Sequence, residues 1–125
     1  MGFCLLGKKK RPTGQFPGWT LETDAVKRDV FTGEDIRRTL AEIEQGQTQF
    51  LILTPPSKVQ GTHFIQACLD DGGGIHLEVS VVKGSGFTLL GRDGFPRIRA
   101  AEILEGYAGQ HALPELGDWT PVEMA

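Results

Sequence analysis

The 125-residue chain lacks several features that would define its class at once. It has two cysteines, Cys4 and Cys68, too few for a disulfide framework, which favours a reducing compartment. No apolar run approaches the length of a membrane span, so we expect neither membrane insertion nor export. The formal net charge is -3, so nothing provides the basic field that binds a phosphate backbone. Nucleic acid and membrane are therefore not expected partners.

Internal repeats and low-complexity segments are also absent, and the composition is that of an ordinary globular protein. We predict a flexible basic tail over residues 1–17 and a single domain over residues 18–125. The apolar piece Phe3 to Leu6 is too short for a signal-peptide core. Lys8 to Arg11 with Gly2 hints at a lipid anchor, but Leu6 stands where a myristoylation pattern has Ser or Thr. We expect a cytoplasmic location.

The most informative segment is a predicted β-hairpin from Thr62 to Val82 with a loop from Asp70 to Gly74. Apolar residues alternate along both strands, which is typical of strands with one buried face. The five-residue loop sets the register of the pairs. The expected buried pairs are Ile65–Val79, Ala67–Leu77 and Leu69–Ile75, and the expected pairs on the other face are Phe64–Ser80, Gln66–Glu78 and Cys68–His76.

Two helices are predicted around this hairpin. Thr32 followed by Asp35 is typical of a helix start, and Ile36, Leu40 and Ile43 recur at helical spacing before Gly46. A second helix is predicted from about Pro96 through Tyr107, with Gly109 as its stop and an apolar side of Ile98, Ala101, Leu104 and Ala108. Further strands, or extended connectors for the first two, are predicted at Trp19–Glu22, Ala25–Val30, Phe50–Leu53 and Phe87–Leu90. The fold class is α+β: an antiparallel sheet of about four to six strands with two helices packed on it.

The residues offer little for catalysis, metal or cofactor. Cys68 and His76 could form a thiolate and base pair oriented by Glu78 or Gln66, but a flat strand face seldom supplies oxyanion donors. The histidines are scattered, and His63 is expected to face away from His76, which disfavours a metal site. The glycine-rich segment from residue 86 to residue 92 lacks the Gly-Lys-Ser/Thr ending of a phosphate loop. We predict no catalytic residue, no metal and no cofactor.

A partner-binding role suits the polar residues better. An amide opposite a carboxylate can present an oriented acidic surface, although a solvated polar pair would look the same. Tyr107 and Trp119 each combine a large apolar ring with one polar group, so each is expected either to anchor an interface or to lie at the edge of the core. The predicted partner-binding residues are Gln66, Asp70, Asp71, His76, Glu78, Tyr107 and Trp119.

The order FLIL, FIQA, a glycine turn, HLEV, EGYAG and a terminal DWTPVE resembles small bacterial immunity proteins of polymorphic toxin systems and related uncharacterised bacterial domains. The resemblance covers residues 32–124 and implies a cytoplasmic, noncatalytic α+β protein that binds a cognate toxin and blocks its active site. On this resemblance Gln66, Glu78, Tyr107 and Trp119 match the recurring polar and aromatic positions, where they contact the toxin or maintain the fold. The GKKKRPTG leader and the glycine-rich segment from Lys83 to Gly94 depart from that pattern.

Three functional hypotheses follow. The first is a protein-binding inhibitor that uses the polar face of the hairpin. The second is an intracellular adaptor or secretion chaperone that uses an exposed apolar edge and forms a homodimer. The third is a hydrolase that depends on Cys68. The sequence leaves the partner and the oligomeric state open.

Overall fold

A computed structural model describes residues 14–122 of the chain. It has two helices and a seven-stranded sheet, so the predicted α+β class with an antiparallel sheet is confirmed and the predicted strand number is too low. In chain order the elements are β1 Thr20–Thr23, β2 Lys27–Arg28, α1 Gly33–Glu44, β3 Phe50–Thr54, β4 Thr62–Leu69, β5 Ile75–Lys83, β6 Gly86–Phe95, α2 Arg97–Gln110 and β7 Thr120–Pro121.

The sheet has the strand order β2-β1-β3-β4-β5-β6-β7, and every neighbouring pair is antiparallel. The strand missing from the predicted number is β7, whose two residues pair with Leu90 and Gly91 of β6. A two-residue strand that contains Pro121 carries no alternating pattern, which is why the sequence does not reveal it. Both edge strands, β2 and β7, are only two residues long.

Helix α1 begins as predicted. The Thr32 side chain accepts a hydrogen bond from the backbone N–H of Asp35, and the Asp35 carboxylate accepts one from the Thr32 backbone N–H at 2.9 Å. Burial acts to raise the pKa of Asp35, but the hydrogen bonds from Thr32 and the Arg38 guanidinium outweigh it and lower that pKa. The predicted apolar side is confirmed, since Ile36, Leu40 and Ile43 are buried against the sheet.

Helix α2 differs from its prediction at two places. It runs on to Gln110 and ends where His111 adopts a left-handed conformation with φ of 54°, so Gly109 is not its stop. Ile98 was expected on the buried side but is 70% exposed. The other three residues of the predicted apolar side, Ala101, Leu104 and Ala108, are buried as expected, and the buried side also includes Ala100, Ile103 and Tyr107.

The β4–β5 hairpin has the predicted register at five of its six predicted pairs, including Gln66–Glu78 and Cys68–His76. Leu69, which was expected on the buried face opposite Ile75, is instead 43% exposed at the end of β4. The pair Phe64–Ser80 is not formed as predicted, because the register shifts between Thr62 and Ile65. This β-bulge places two residues opposite one and turns the His63 ring toward Phe87, with 6.3 Å between ring centroids. His63 therefore lies on the same side of the sheet as His76, contrary to expectation.

The core lies between the helices and one face of the sheet. That inner face carries the fully buried side chains of Leu51, Leu53, Ile65, Leu77 and Val79. The other side, which we call the open face, is not covered by a helix of the described chain. Its apolar side chains are half-buried or exposed, and they are Phe50, Ile52, Phe64, Val82, Phe87 and Leu89.

Two residues of the predicted tail, Gln15 and Phe16, contact the rest of the described chain. Phe16 is buried and packs on Phe31 with 5.3 Å between ring centroids, and the Gln15 backbone N–H donates to the Phe31 carbonyl. Residues 1–13 of the predicted tail lie outside the described residues. Among residues 14–122 no helix combines the length and the apolar character needed to cross a bilayer.

Candidate functional site

The open face is organised in rows of side chains that run across the strands. One row starts at Glu22 on β1 and continues through Ile52, Gln66 and Glu78 to Gly91 on β6. The next row contains Phe50, Cys68 and His76. Because side chains directly opposite each other on antiparallel strands are close neighbours, the two rows form one contiguous block on β3, β4 and β5.

Between these rows lies a shallow cavity of about 290 Å³, which we call the sheet cleft. The Cys68 side chain is shorter than those of Phe50 and His76 on either side of it. The surface of the sheet is therefore depressed at Cys68, and this depression is the floor of the cleft. Apolar side chains of β3 form one wall of the cleft and polar side chains of β5 form the other. Its lining residues are Phe50, Ile52, Gln66, Ala67, Cys68, His76 and Glu78.

The polar wall is a chain of side-chain hydrogen bonds. The Gln66 amide donates to one carboxylate oxygen of Glu78 at 2.5 Å, and the other oxygen lies 2.8 Å from His76 Nε2. His76 Nδ1 lies 2.5 Å from a carboxylate oxygen of Asp93. Both ring nitrogens of His76 therefore contact carboxylate oxygens, which holds the imidazole between Glu78 and Asp93. The Glu78 side chain is 13% exposed, which is low for an acidic residue on an uncovered sheet face.

Asp93 is the member of this network that sequence reasoning missed. The strand predicted at Phe87–Leu90 ends at Leu90, whereas β6 continues to Phe95. The pairing of β5 with β6 shifts by one residue, so Asp93 and Gly94 lie opposite the single residue His76. Gly94 has a φ of +87°, which suits glycine in a bulge, and it is the signal in the sequence that could have indicated this bend.

Gly91 lies next to the His76 ring, and the absence of a side chain at this position leaves room for that ring. A Cβ at this position would lie 2.7 Å from Val122 Cγ2, 2.9 Å from His76 Cε1 and 3.0 Å from His76 Nε2. These distances are shorter than van der Waals contact, so the His76 ring and Val122 occupy the space that a side chain would fill. Gly91 thus determines where the His76 ring lies.

Asp70 and Asp71, both predicted to contact a partner, differ in their surroundings. The Asp70 carboxylate accepts backbone N–H groups of Gly72 at 2.8 Å, Gly74 at 2.9 Å and Gly94 at 2.7 Å. The bond from Gly94, helped by those from the loop, holds the pKa of Asp70 below its usual value against the opposing effect of burial. Asp70 therefore ties the hairpin loop to β6, whereas Asp71 is exposed.

Tyr107 and Trp119 lie in the core and not on the open face. The Thr62 hydroxyl donates to the Val59 carbonyl at 2.6 Å, and because it has one hydrogen, the Tyr107 O–H is the donor in their 2.7 Å contact. Burial raises the pKa of Tyr107, which keeps the phenol protonated. Trp119 is buried against Phe95, with 5.8 Å between ring centroids. Both side chains stabilise the fold and have little surface for a partner.

Cys68 is a free cysteine that is half-buried in the sheet cleft. Burial raises the pKa of its thiol, and the negative charges of Glu78, Asp93 and Asp70 raise it further. A nucleophilic cysteine needs the opposite environment, in which a nearby cation favours the thiolate. His76 is directly opposite Cys68, but both of its ring nitrogens contact carboxylates.

Among the described residues, no group of three or more His, Cys, Asp or Glu side chains is arranged to hold a metal ion. Comparison of the chain with protein-family models, with curated proteins and with solved structures gives no match. The candidate function therefore has to come from the residues of the open face itself.

Proposed function

We propose that this chain is a noncatalytic protein-binding domain, an immunity protein that binds a cognate bacterial toxin in the cytoplasm and blocks its active site. The open face of the sheet is the proposed binding surface. The observation that carries this proposal is that the two helices cover one face only, while the other exposes half-buried apolar side chains around a fixed polar network. Contiguous apolar surface with a few oriented polar groups is typical of interaction sites.

The hydrogen-bond network supports an inhibitory role. Gln66, Glu78 and His76 are held by one another on adjacent strands, so a partner does not have to order these side chains when it binds. Ordering each rotamer-rich side chain at an interface costs roughly 0.5–1.5 kcal/mol, and a preorganised surface avoids that cost. A small domain binds its partner more tightly when this free-energy cost of ordering side chains is avoided.

The adaptor hypothesis is the alternative, and it needs an exposed apolar edge. The edge strands β2 and β7 are two residues long, one is Lys27–Arg28 and the other contains Pro121. Short, charged or proline-containing edges discourage pairing with another chain. This favours the open face over a sheet edge as the interface, and the mass of the chain in solution discriminates a homodimer from a monomer that binds a toxin.

The hydrolase hypothesis is disfavoured by the surroundings of Cys68. Its thiol is kept protonated by burial and by neighbouring carboxylates, and the opposite imidazole is engaged by two acids. Retention of all biological activity by Cys68→Ala would remove this alternative, whereas a loss of activity in a folded Cys68→Ala variant would revive it.

The test is co-expression with the product of the adjacent open reading frame, scored by cell survival and by a complex on gel filtration. Phe87→Glu introduces a charge at a residue that is 47% exposed on the open face, so the variant should fold. Ile98→Glu is the matched control, because Ile98 is an exposed apolar residue on α2. We expect rescue by the wild type and by Ile98→Glu, and loss of rescue and of the complex with Phe87→Glu. A harmless neighbour that forms no complex would contradict the inhibitor proposal.

A further inference from the structure

The sheet cleft has the size and shape for one side chain of a partner. Its volume of about 290 Å³ lies just below the range for small-molecule pockets, which starts at about 300 Å³. Phe50 and Ile52 provide an apolar wall along one side, and Glu78 provides a carboxylate on the other. A matching side chain therefore has an aliphatic stem and a polar end.

The charge around the cleft is negative. Glu78 and Asp93 contribute two carboxylates, and the His76 imidazole between them can carry at most one positive charge. Among residues 14–122, no lysine or arginine lines the cleft. The same carboxylates, with Asp70, act on the Cys68 thiol at the centre of the cleft and help to raise its pKa, so their negative potential extends to the bottom of the site. A carboxylate from a partner would be repelled here.

Glu78 also retains hydrogen-bonding capacity. Within the described part of the chain, each of its two oxygens takes part in one contact, with Gln66 or with His76, whereas an ionised carboxylate offers about four lone-pair positions. A purely apolar side chain would bury these free positions without a donor, which is unfavourable. Lysine and arginine combine an aliphatic stem with a cationic donor group, so they satisfy both walls.

We infer that the sheet cleft binds the side chain of a lysine or arginine from the protein partner, with its stem against Phe50 and Ile52 and its cation beside Glu78. This inference rests on the proposed function and adds the chemistry of the partner's contact residue. For an active-site inhibitor, that residue would be a basic group at or near the toxin's active site.

The first test uses n-butylguanidinium as the probe and follows the backbone amides of Gln66, Cys68 and Glu78 by two-dimensional NMR. Butyramide and butyrate are the neutral and anionic controls, and n-propylguanidinium, which has the same propyl stem as these two, controls for the one extra methylene group of the probe. We expect butylguanidinium to bind about tenfold more tightly than butyramide, because a charge-assisted hydrogen bond is added, and butyrate to give no saturable shifts. Equal binding of butylguanidinium and butyramide to the wild type would overturn the inference.

The variant Glu78→Gln keeps the shape of the side chain and removes its charge. It should reduce the preference for butylguanidinium over butyramide to about the level expected for a neutral site. Glu22→Gln is the matched control, because Glu22 lies in the same row next to Ile52 but does not line the cleft. The preference should persist in Glu22→Gln, and its persistence in Glu78→Gln would also overturn the inference.

The two proposals fail separately. If Phe87→Glu breaks the toxin complex but the wild type shows no preference for the cationic probe, the open face is the interface and the cleft does not select a cation. If the wild type prefers the cationic probe but Phe87→Glu and Glu78→Gln both leave a toxin complex intact, the cleft binds cations and the proposed interface is wrong.

Discussion

We expect the substitution Gly91→Ala, which adds a single methyl group at the candidate site, to lower the free energy of unfolding measurably. Gly91→Ala adds one methyl group in β6, directly opposite Glu78. That methyl group would lie 2.7 Å from Val122 Cγ2 and 2.9 Å from His76 Cε1. The His76 ring cannot rotate away without loss of its contact with Glu78 or Asp93.

The size of the effect follows from two opposing contributions. Overpacking of this kind typically costs about 1–3 kcal/mol. Replacing glycine by alanine reduces the entropy of the unfolded chain and returns about 0.4–1 kcal/mol. We therefore expect a net loss of about 1–2 kcal/mol in the free energy of unfolding. For a chain of this length that corresponds to a fall in Tm of about 4–8 °C.

The assay is thermal unfolding followed by circular dichroism, with Gly86→Ala as the control. Gly86 is on the same strand, and a Cβ there would meet nothing within 4 Å, so this variant should unfold at or slightly above the wild-type temperature. The double variant Gly91→Ala with Val122→Ala should recover part of the loss, because it removes the closest contact. If Gly91→Ala and Gly86→Ala unfold at the same temperature, the steric explanation of Gly91 is refuted.

Three further predictions concern the supporting structure. Tyr107→Phe should lower the free energy of unfolding by about 1–2 kcal/mol in urea titrations, because the buried Thr62 oxygen loses its donor; an unchanged midpoint would contradict that bond. Asp70→Asn should lower Tm at neutral pH more than the exposed control Asp71→Asn. Because the pKa of Asp70 is lower in the folded protein than in the unfolded chain, its ionised carboxylate stabilises the fold at pH values above the ordinary carboxyl pKa. This contribution is lost as the pH falls through the lowered pKa. The Tm of Asp70→Asn should therefore depend less on acid pH than the Tm of the wild type. Gly106→Ala, in the middle of α2 with no atom within 4 Å of the new Cβ, should stabilise the fold by about 0.5–1 kcal/mol in the same titrations.

Features that depend on neighbours in the sequence could be predicted. The capping pair Thr32 and Asp35 involves residues three apart, and the hairpin register follows from the five-residue loop and the alternation on both sides of it. The pair Gln66–Glu78 is predicted for that reason. Its hydrogen bond, at 2.5 Å, is a direct consequence of the register.

The departures from prediction occur where distant segments meet. Ile98 has the right spacing for the buried side of α2 but is exposed, whereas Ala100, Ile103 and Tyr107 are buried in addition to the predicted residues. Tyr107 carries a polar group that would suit an interface, yet its partner, Thr62, is 45 residues away in the buried core. Nothing in the local sequence around either residue indicates these contacts.

By itself the sequence determined the class of the fold, the two helices, the hairpin and the pairs Gln66–Glu78 and Cys68–His76, because each depends on periodicity or on a short loop. Only the tertiary structure decided that Asp93 completes the network, since a bulge in β6 brings it to His76 from 17 residues away. It also decided that the outer face, which carries the pair Gln66–Glu78, is not covered by a helix of the described chain. Both helices pack on the same side, and that choice depends on the packing of the whole core and not on any local pattern.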